Sequence, residues 1–167
     1  MSLKLRILNR LSDWLVARGS AAMITRDGEK YLLRHFILNT KCLSIYLHRF
    51  YAPDDGSTGV HCHPWPNLSI ILHGGFVELF HDGVLVDRKP GAMCFRQARV
   101  LHRIDSLLDE PGNVYSLFIM GKRDRTWGFF KSPQWDEVKV RTISGKKGWL
   151  LPSGPTPDRD ENTLVKK

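Results

Sequence analysis

Paired cysteine, long apolar runs and acidic side chains are all scarce in this chain. Its three cysteines, Cys42, Cys62 and Cys94, are odd in number and lack a C-x-x-C pair, which excludes a disulfide framework and fits reduced thiols. Apolar runs are broken by charge well before the roughly 18 residues a membrane helix needs, and no signal-peptide cleavage pattern follows the first residues. The expectation is therefore a soluble, cytoplasmic protein without a transmembrane segment. Acids are outnumbered, 17 Asp and Glu against 25 Lys and Arg, for a net charge of +8 and a pI near 9.6. That balance favours anionic partners, namely nucleic acid, acidic lipid or a small carboxylated or phosphorylated ligand. Internal repeats and low-complexity tracts are absent. At 167 residues and 42% hydrophobic content the chain suits one domain with a sizeable core.

The first 20 residues carry Leu5, Leu8, Leu11 and Leu15 at spacings of three and four, with Ile7 and Trp14 nearby and Lys4, Arg6, Arg10 and Arg18 interleaved. This predicts an amphipathic helix over Ser2 to Arg18, ending at Gly19. Such a helix can lie on an anionic membrane or pack its stripe on its own domain or a partner subunit; packing is the expectation adopted. Asp27-Gly28 between β-favouring runs predicts a hairpin. A strand over Cys42 to Phe50 then places Leu43, Ile45 and Leu47 on one face and Ser44, Tyr46 and His48 on the other, with neither face assigned inward. Short strands separated by Gly- and Pro-containing turns continue through Phe76–Phe80, Val84–Asp87, Ala92–Arg96, Val100–Leu107, Val114–Met120, Thr126–Phe130 and Glu137–Ser144. The rhythm is that of an antiparallel sandwich or barrel. The expected organisation is a helix over 1–20, an all-β barrel over 21–150 and a flexible tail over 151–167, poor in core-forming residues.

Chemistry concentrates in Gly59 to Gly75. Side chains alternate along a strand, so His61 and His63 point one way and Cys62 the other, which removes Cys62 from any shared metal site. Pro64-Trp65-Pro66 ends that strand, and Leu68 to Leu72 reads as a buried strand closed by Gly74-Gly75. His102 is available as a third imidazole.

These residues resemble the cupin superfamily. His61 and His63 fit the paired histidines of its first motif, Asn67 stands in the glutamate place and Gly74 closes the motif. Gly91 and His102 fit the second motif, where Gln97, Arg99 and Ser106 replace its proline, glycine and asparagine. The chain is also similar to uncharacterised cupin-like proteins of bacteria and tailed phages, through His61 to Trp65, Leu72 to Glu78, Leu101 to Arg103 and Arg125 to Phe129. The resemblance implies a double-stranded β-helix, or jelly roll, and a homodimer that shares the helix or an early strand. It also implies one divalent ion on His61, His63 and His102, with Asn67 as a further ligand or neighbour. Iron(II), manganese, nickel and zinc all suit such a donor set.

Three neutral imidazoles leave the ion its full charge and open positions, which suits a small anionic substrate. Cupins with three-histidine iron sites include dioxygenases. A metal-dependent oxygenase is thus one expectation and a non-enzymatic ligand-binding cupin the alternative. A basic accessory protein that binds nucleic acid ranks third, because the positive charges are dispersed. Trp65, His73, Arg123 and Arg125 are candidates for substrate binding, an aromatic wall and a polar group or arginine fork respectively. His81 is placed outside the site, and Glu78, which follows the double glycine, has no assignable face.

Overall fold

The computed structural model of the chain describes residues 1–56, 59–124 and 128–130. Helix α1 (Leu3–Ala17) is followed by strands β1 (Ala21–Arg26), β2 (Glu29–Asn39), β3 (Ser44–Phe50), β4 (Val60–Cys62), β5 (Asn67–His73) and β6 (Phe76–Phe80). Strands β7 (Leu85–Arg88), β8 (Met93–Arg96), β9 (His102–Leu107), β10 (Val114–Met120) and β11 (Gly128–Phe130) complete the described elements. The strand expected at Glu137–Ser144, the barrel limit at 150 and the tail lie outside the described residues.

Four antiparallel pairs carry the architecture: β3 with β10, β4 with β9, β5 with β8 and β6 with β7. They nest as one long ribbon hairpin whose successive pairs alternate between two sheets. One sheet runs β1-β2-β3-β10-β5-β8 and the other β11-β4-β9-β6-β7. This nesting is the jelly roll, and with a single N-terminal helix it gives the all-β class expected from the turn rhythm. The β1–β2 connection is a two-residue turn with Arg26 opposite Glu29, and Asp27 (φ 52°) and Gly28 (φ 87°) both take the positive φ that such a hairpin requires.

Interior packing follows strand parity. Ser44, Tyr46, His48 and Phe50 of β3 are all buried, which settles that face as the inward one. One end of the interior is filled by Ile24, Leu32, Phe50, Ile71, Phe76, Ile104 and Val114, the other by Tyr46, Phe118 and Met120 with Phe36 and Trp65 against them. On the outside, Leu5, Leu8 and Leu15 of α1 bury against Leu47 and Tyr115. Each leucine contributes about 1.5–3 kcal/mol, against roughly 1 kcal/mol for the Ser2 cap, whose Oγ accepts from Leu5 N at 3.2 Å. Packing, not capping, holds the helix in place. A polar bolt lies under it, with Ser12 Oγ 2.8 Å from His35 Nε2 and His35 Nδ1 2.9 Å from the Leu47 carbonyl oxygen. A carbonyl only accepts, so Nδ1 carries the ring proton and Ser12 donates to Nε2.

Two patterns differ from expectation. Leu11 does not join the buried stripe; it is 40% exposed, and Ser12 takes the inner place because the barrel-facing line runs Leu5, Leu8, Ser12, Leu15. In β5 the buried residues are Asn67, Ser69 and Ile71, while Leu68 and Ile70 face outward and are only half-buried. An apolar run can therefore sit on the outer face of a sheet whose inner face is polar.

Candidate functional site

His61 lies in β4 directly opposite His102 in β9. Directly opposed residues of an antiparallel pair share a face, so both rings project together into the barrel. His63, one residue past the end of β4, returns to the same side. The ring centroids are 5.2 Å apart for His61–His63, 5.2 Å for His61–His102 and 5.0 Å for His63–His102. One nitrogen from each ring lies within 4.8 Å of the others, and Nε2 of His63 is 3.0 Å from Nε2 of His102.

The neighbouring strand supplies what positions His102. In β6, Phe80 opposes His102 and Glu78 opposes Ile104. Glu78 is fully buried, and its Oε1 sits 2.7 Å from His102 Nδ1 and 2.5 Å from Arg96 Nε, while Oε2 accepts from Arg88 Nε at 2.7 Å. A carboxylate against Nδ1 fixes the proton there and leaves Nε2 as a lone-pair donor toward the other rings. Glu78 faces inward because Gly74-Gly75 restarts the strand. Gly75 has φ 122°, and a Cβ there would meet the Arg88 carbonyl oxygen at 2.4 Å, so only glycine lets the two backbones pass.

Arg96 extends this network, donating to Ser69 Oγ at 3.0 Å, to the Cys94 carbonyl at 3.3 Å and to Asn67 Oδ1 at 3.4 Å. Asn67, buried between Arg96 and the Trp65 carbonyl oxygen, is thus tied to the arginine cluster through its own amide. Asp54 sits behind the site, accepting from the Tyr31 hydroxyl and from Ile104 N at 2.6 Å.

Burial keeps all three imidazoles neutral. Desolvation lowers His61 to about 4, with Asp54 opposing and His102, Arg26 and Arg96 adding to the effect. His63 falls well below the usual imidazole range by desolvation, reinforced by His102, His61, Arg96 and Arg34. His102 is lowered by burial against the raising influence of Glu78. Burial alone raises Glu78, but hydrogen bonds from His102 and Arg96 outweigh it and hold the carboxylate well below its ordinary range.

The other candidates fall in different places. Trp65 packs on Tyr46, Phe118 and Met120, and Phe118 lies 5.8 Å from His63, so the indole belongs to the aromatic wall beside the trio. His73 is not brought to the trio. A bulge between Tyr115 and Ser116 shifts the β10–β5 register, so His73 opposes Tyr115 on the helix side. There its Nε2 meets Ser2 Oγ at 3.2 Å and its Nδ1 the Asn113 carbonyl at 2.9 Å. Arg123 is exposed, His81 lies at a turn on the surface, and Arg125 is outside the described residues. Cys62 is buried at the alternate position, as parity requires. Sequence reading missed Arg96, Arg88, Ser69 and Asp54; the alternation of Arg96 with Cys94 in an edge strand was the available signal.

No protein-family model matches the chain, and no curated protein does. Solved structures similar to it are cupins and related double-stranded β-helix proteins. One is a cupin superfamily protein of Desulfitobacterium hafniense, with 21% identity over 59% of this chain and 82% of that one and a TM-score of 0.44. Another is a double-stranded β-helix protein of Klebsiella pneumoniae, with 12% identity, 65% and 90% coverage and a TM-score of 0.48. The iron(II) form of HppE has 14% identity, 60% and 55% coverage and a TM-score of 0.48. At these levels the likeness concerns the fold, which the strand pairing establishes independently.

Proposed function

We propose that this chain is a cupin that binds one divalent ion through His61, His63 and His102, with Glu78 orienting His102 behind it. The carrying observation is the 3.0 Å separation of the His63 and His102 Nε2 atoms, with a carboxylate on the far nitrogen of His102. Two nitrogens bound at about 2.1 Å to one ion and at right angles to each other lie about 3.0 Å apart. Iron(II), manganese, nickel and zinc all accept such imidazoles. The bound ion would act as a Lewis acid with open positions. The trio itself contains no carboxylate, so a divalent ion held there would keep its full positive charge toward an anionic ligand. A small anionic substrate with dioxygenase-like chemistry is the enzymatic form of this proposal.

A ligand-binding cupin without a redox metal is the second reading. Its support is the direct His63–His102 contact, which lets the two rings satisfy each other without an ion. Metal analysis of anaerobically purified protein decides between them. About one ion per chain, lost in His102→Ala and retained in His73→Ala, supports the metal centre. Absence of metal from the unmodified protein after incubation with iron, manganese, nickel and zinc supports the second reading.

The homodimer belongs to the same proposal, and its suitable face is the outside of the six-stranded sheet. Leu38, Ile45, Ile119, Leu68 and Phe95 stand opposite one another across five strands, with Leu117, Ile70 and Met93 in the next row. Phe95 and Met93 are 69% and 66% exposed. Two copies of a chain with net charge +8 meet with least repulsion on such an uncharged patch. Light scattering should give a dimer that Phe95→Glu dissociates; a monomeric unmodified protein removes this part.

A further inference from the structure

Helix α1 uses only one of its two apolar faces to hold the barrel. Leu5, Leu8 and Leu15 are buried, whereas Leu3, Ile7, Leu11 and Trp14 are 65%, 57%, 40% and 50% exposed. Their spacing of four, four and three places them on one ridge along the side turned away from the barrel. Cations frame that ridge. At about 100° per residue, Lys4 falls on one side of it and Arg6 and Arg10 on the other. Arg18 continues the ridge, with its guanidinium 4.1 Å from the Trp14 ring centroid. All four cations are exposed, and Asp13 is the only acid in the helix.

This charge pattern opposes the helix's own electrostatics. The first turn contains no acid, but it carries Lys4 and Arg6 where the positive end of the macrodipole disfavours cations. Arg18, the C-cap, is the one cation placed where the dipole favours it. The helix is secured by its buried leucines and its cap, so Lys4, Arg6 and Arg10 are not explained by helix stability. An apolar ridge between rows of positive charge is complementary to an anionic bilayer, where aliphatic side chains and an indole enter the headgroup boundary and Lys and Arg meet lipid phosphates.

Two other occupants fit less well. A second copy placed on the ridge sets four cations against four cations. Residues 131–167 of this chain hold eight lysines and arginines against five acids, so their net charge has the same sign as that of the ridge. Nucleic acid matches the charge, but would leave three aliphatic side chains of the ridge without a role.

We infer that the outer face of α1 is a docking surface for anionic lipid, holding the barrel at a membrane surface without crossing it. Sedimentation with vesicles of phosphatidylcholine containing about one third phosphatidylglycerol should recover the full-length protein, and pure phosphatidylcholine vesicles should not. Raising the salt should release it. Arg6→Gln with Arg10→Gln should weaken partitioning by about 30-fold, at about fivefold per charge near the surface. Ile7→Glu with Leu11→Glu should abolish it while leaving the unfolding midpoint unchanged, since both side chains already face solvent. Trp14→Phe should remove the fluorescence blue shift that accompanies vesicle binding.

The inference is overturned if phosphatidylglycerol vesicles do not bind, or if the Ile7/Leu11 variant binds like the unmodified protein. It is also overturned if that variant converts a dimer to a monomer in the absence of lipid, or loses binding to a DNA duplex as fully as to vesicles. Metal content is read on the same samples, so failure here is separable from failure of the metal proposal.

Discussion

His35, His61 and His102 are buried and His63 is half-buried beside them, yet His35 and the trio are completed in opposite ways. Both nitrogens of His35 are satisfied by its own fold, one by Ser12 and one by the Leu47 carbonyl. His102 has one nitrogen against Glu78 and turns the other toward His63. A buried imidazole with two internal partners is a structural fastener, whereas one with a carboxylate behind it and another imidazole in front is poised to donate a lone pair. His48 is a third case. It is buried between Tyr46 and Phe118, with ring centroids 6.1 and 4.9 Å away, and its Nε2 has no hydrogen-bond partner among the described residues.

The largest disruption of this comparison should come from Glu78→Ala. It leaves Arg96 and Arg88 without their shared counter-charge, and the loss of one partner of a buried pair costs about 3–5 kcal/mol. Urea unfolding measures this. The milder Glu78→Gln should weaken metal affinity by about 10- to 100-fold through loss of orientation at His102; unchanged affinity would remove Glu78 from the site.

Acid should act next, on every buried ring at once. His35, His48, His61, His63 and His102 all have their folded values lowered, His61 to about 4, so the unfolded chain binds more protons as pH falls below 6.5. Stability of the metal-free protein should therefore be complete above pH 6.5 and decline from there toward pH 4. Urea midpoints at pH 7.5, 6 and 5 should decrease in that order, and a flat profile would contradict the burial of these rings.

The smallest effects separate the two lone histidines. His35→Phe strands the Ser12 hydroxyl and the Leu47 carbonyl and should cost about 1–3 kcal/mol without changing metal content. His48→Phe removes an unpartnered nitrogen from an aromatic stack and should be neutral or slightly stabilising. Equal destabilisation by both changes would show that ring shape, not hydrogen bonding, distinguishes them.

The pairing of His61 with His63 was legible because strand alternation and the His-x-His spacing fix it locally, as Asp27-Gly28 announced its hairpin, whereas His102 entered only through the resemblance to the second cupin motif. Glu78 was not legible, since the Gly74-Gly75 turn resets alternation just before it. His73 misled for a related reason, as the bulge opposite Tyr115 carries it across the sheet. Arg96 was overlooked because a buried arginine makes sense only beside its carboxylate, which comes from a different sheet. In α1 the pattern gave one stripe that included Leu11, and only packing on Leu47 and Tyr115 shows that Ser12 takes the inner place instead.

The nested ribbon also sets an order of events for the folding chain. Its tip, β6 with β7, joins residues close in sequence, whereas β4 meets β9 and β3 meets β10 only across long stretches of chain. Loop-closure entropy makes such distant pairings slow to form. His61 and His102 come from one of these outer pairs, so the imidazole cluster is a late product of folding. A nascent or partly unfolded chain holds the same three histidines scattered, and the time at which they converge on one probe ion would time the closing of the roll itself.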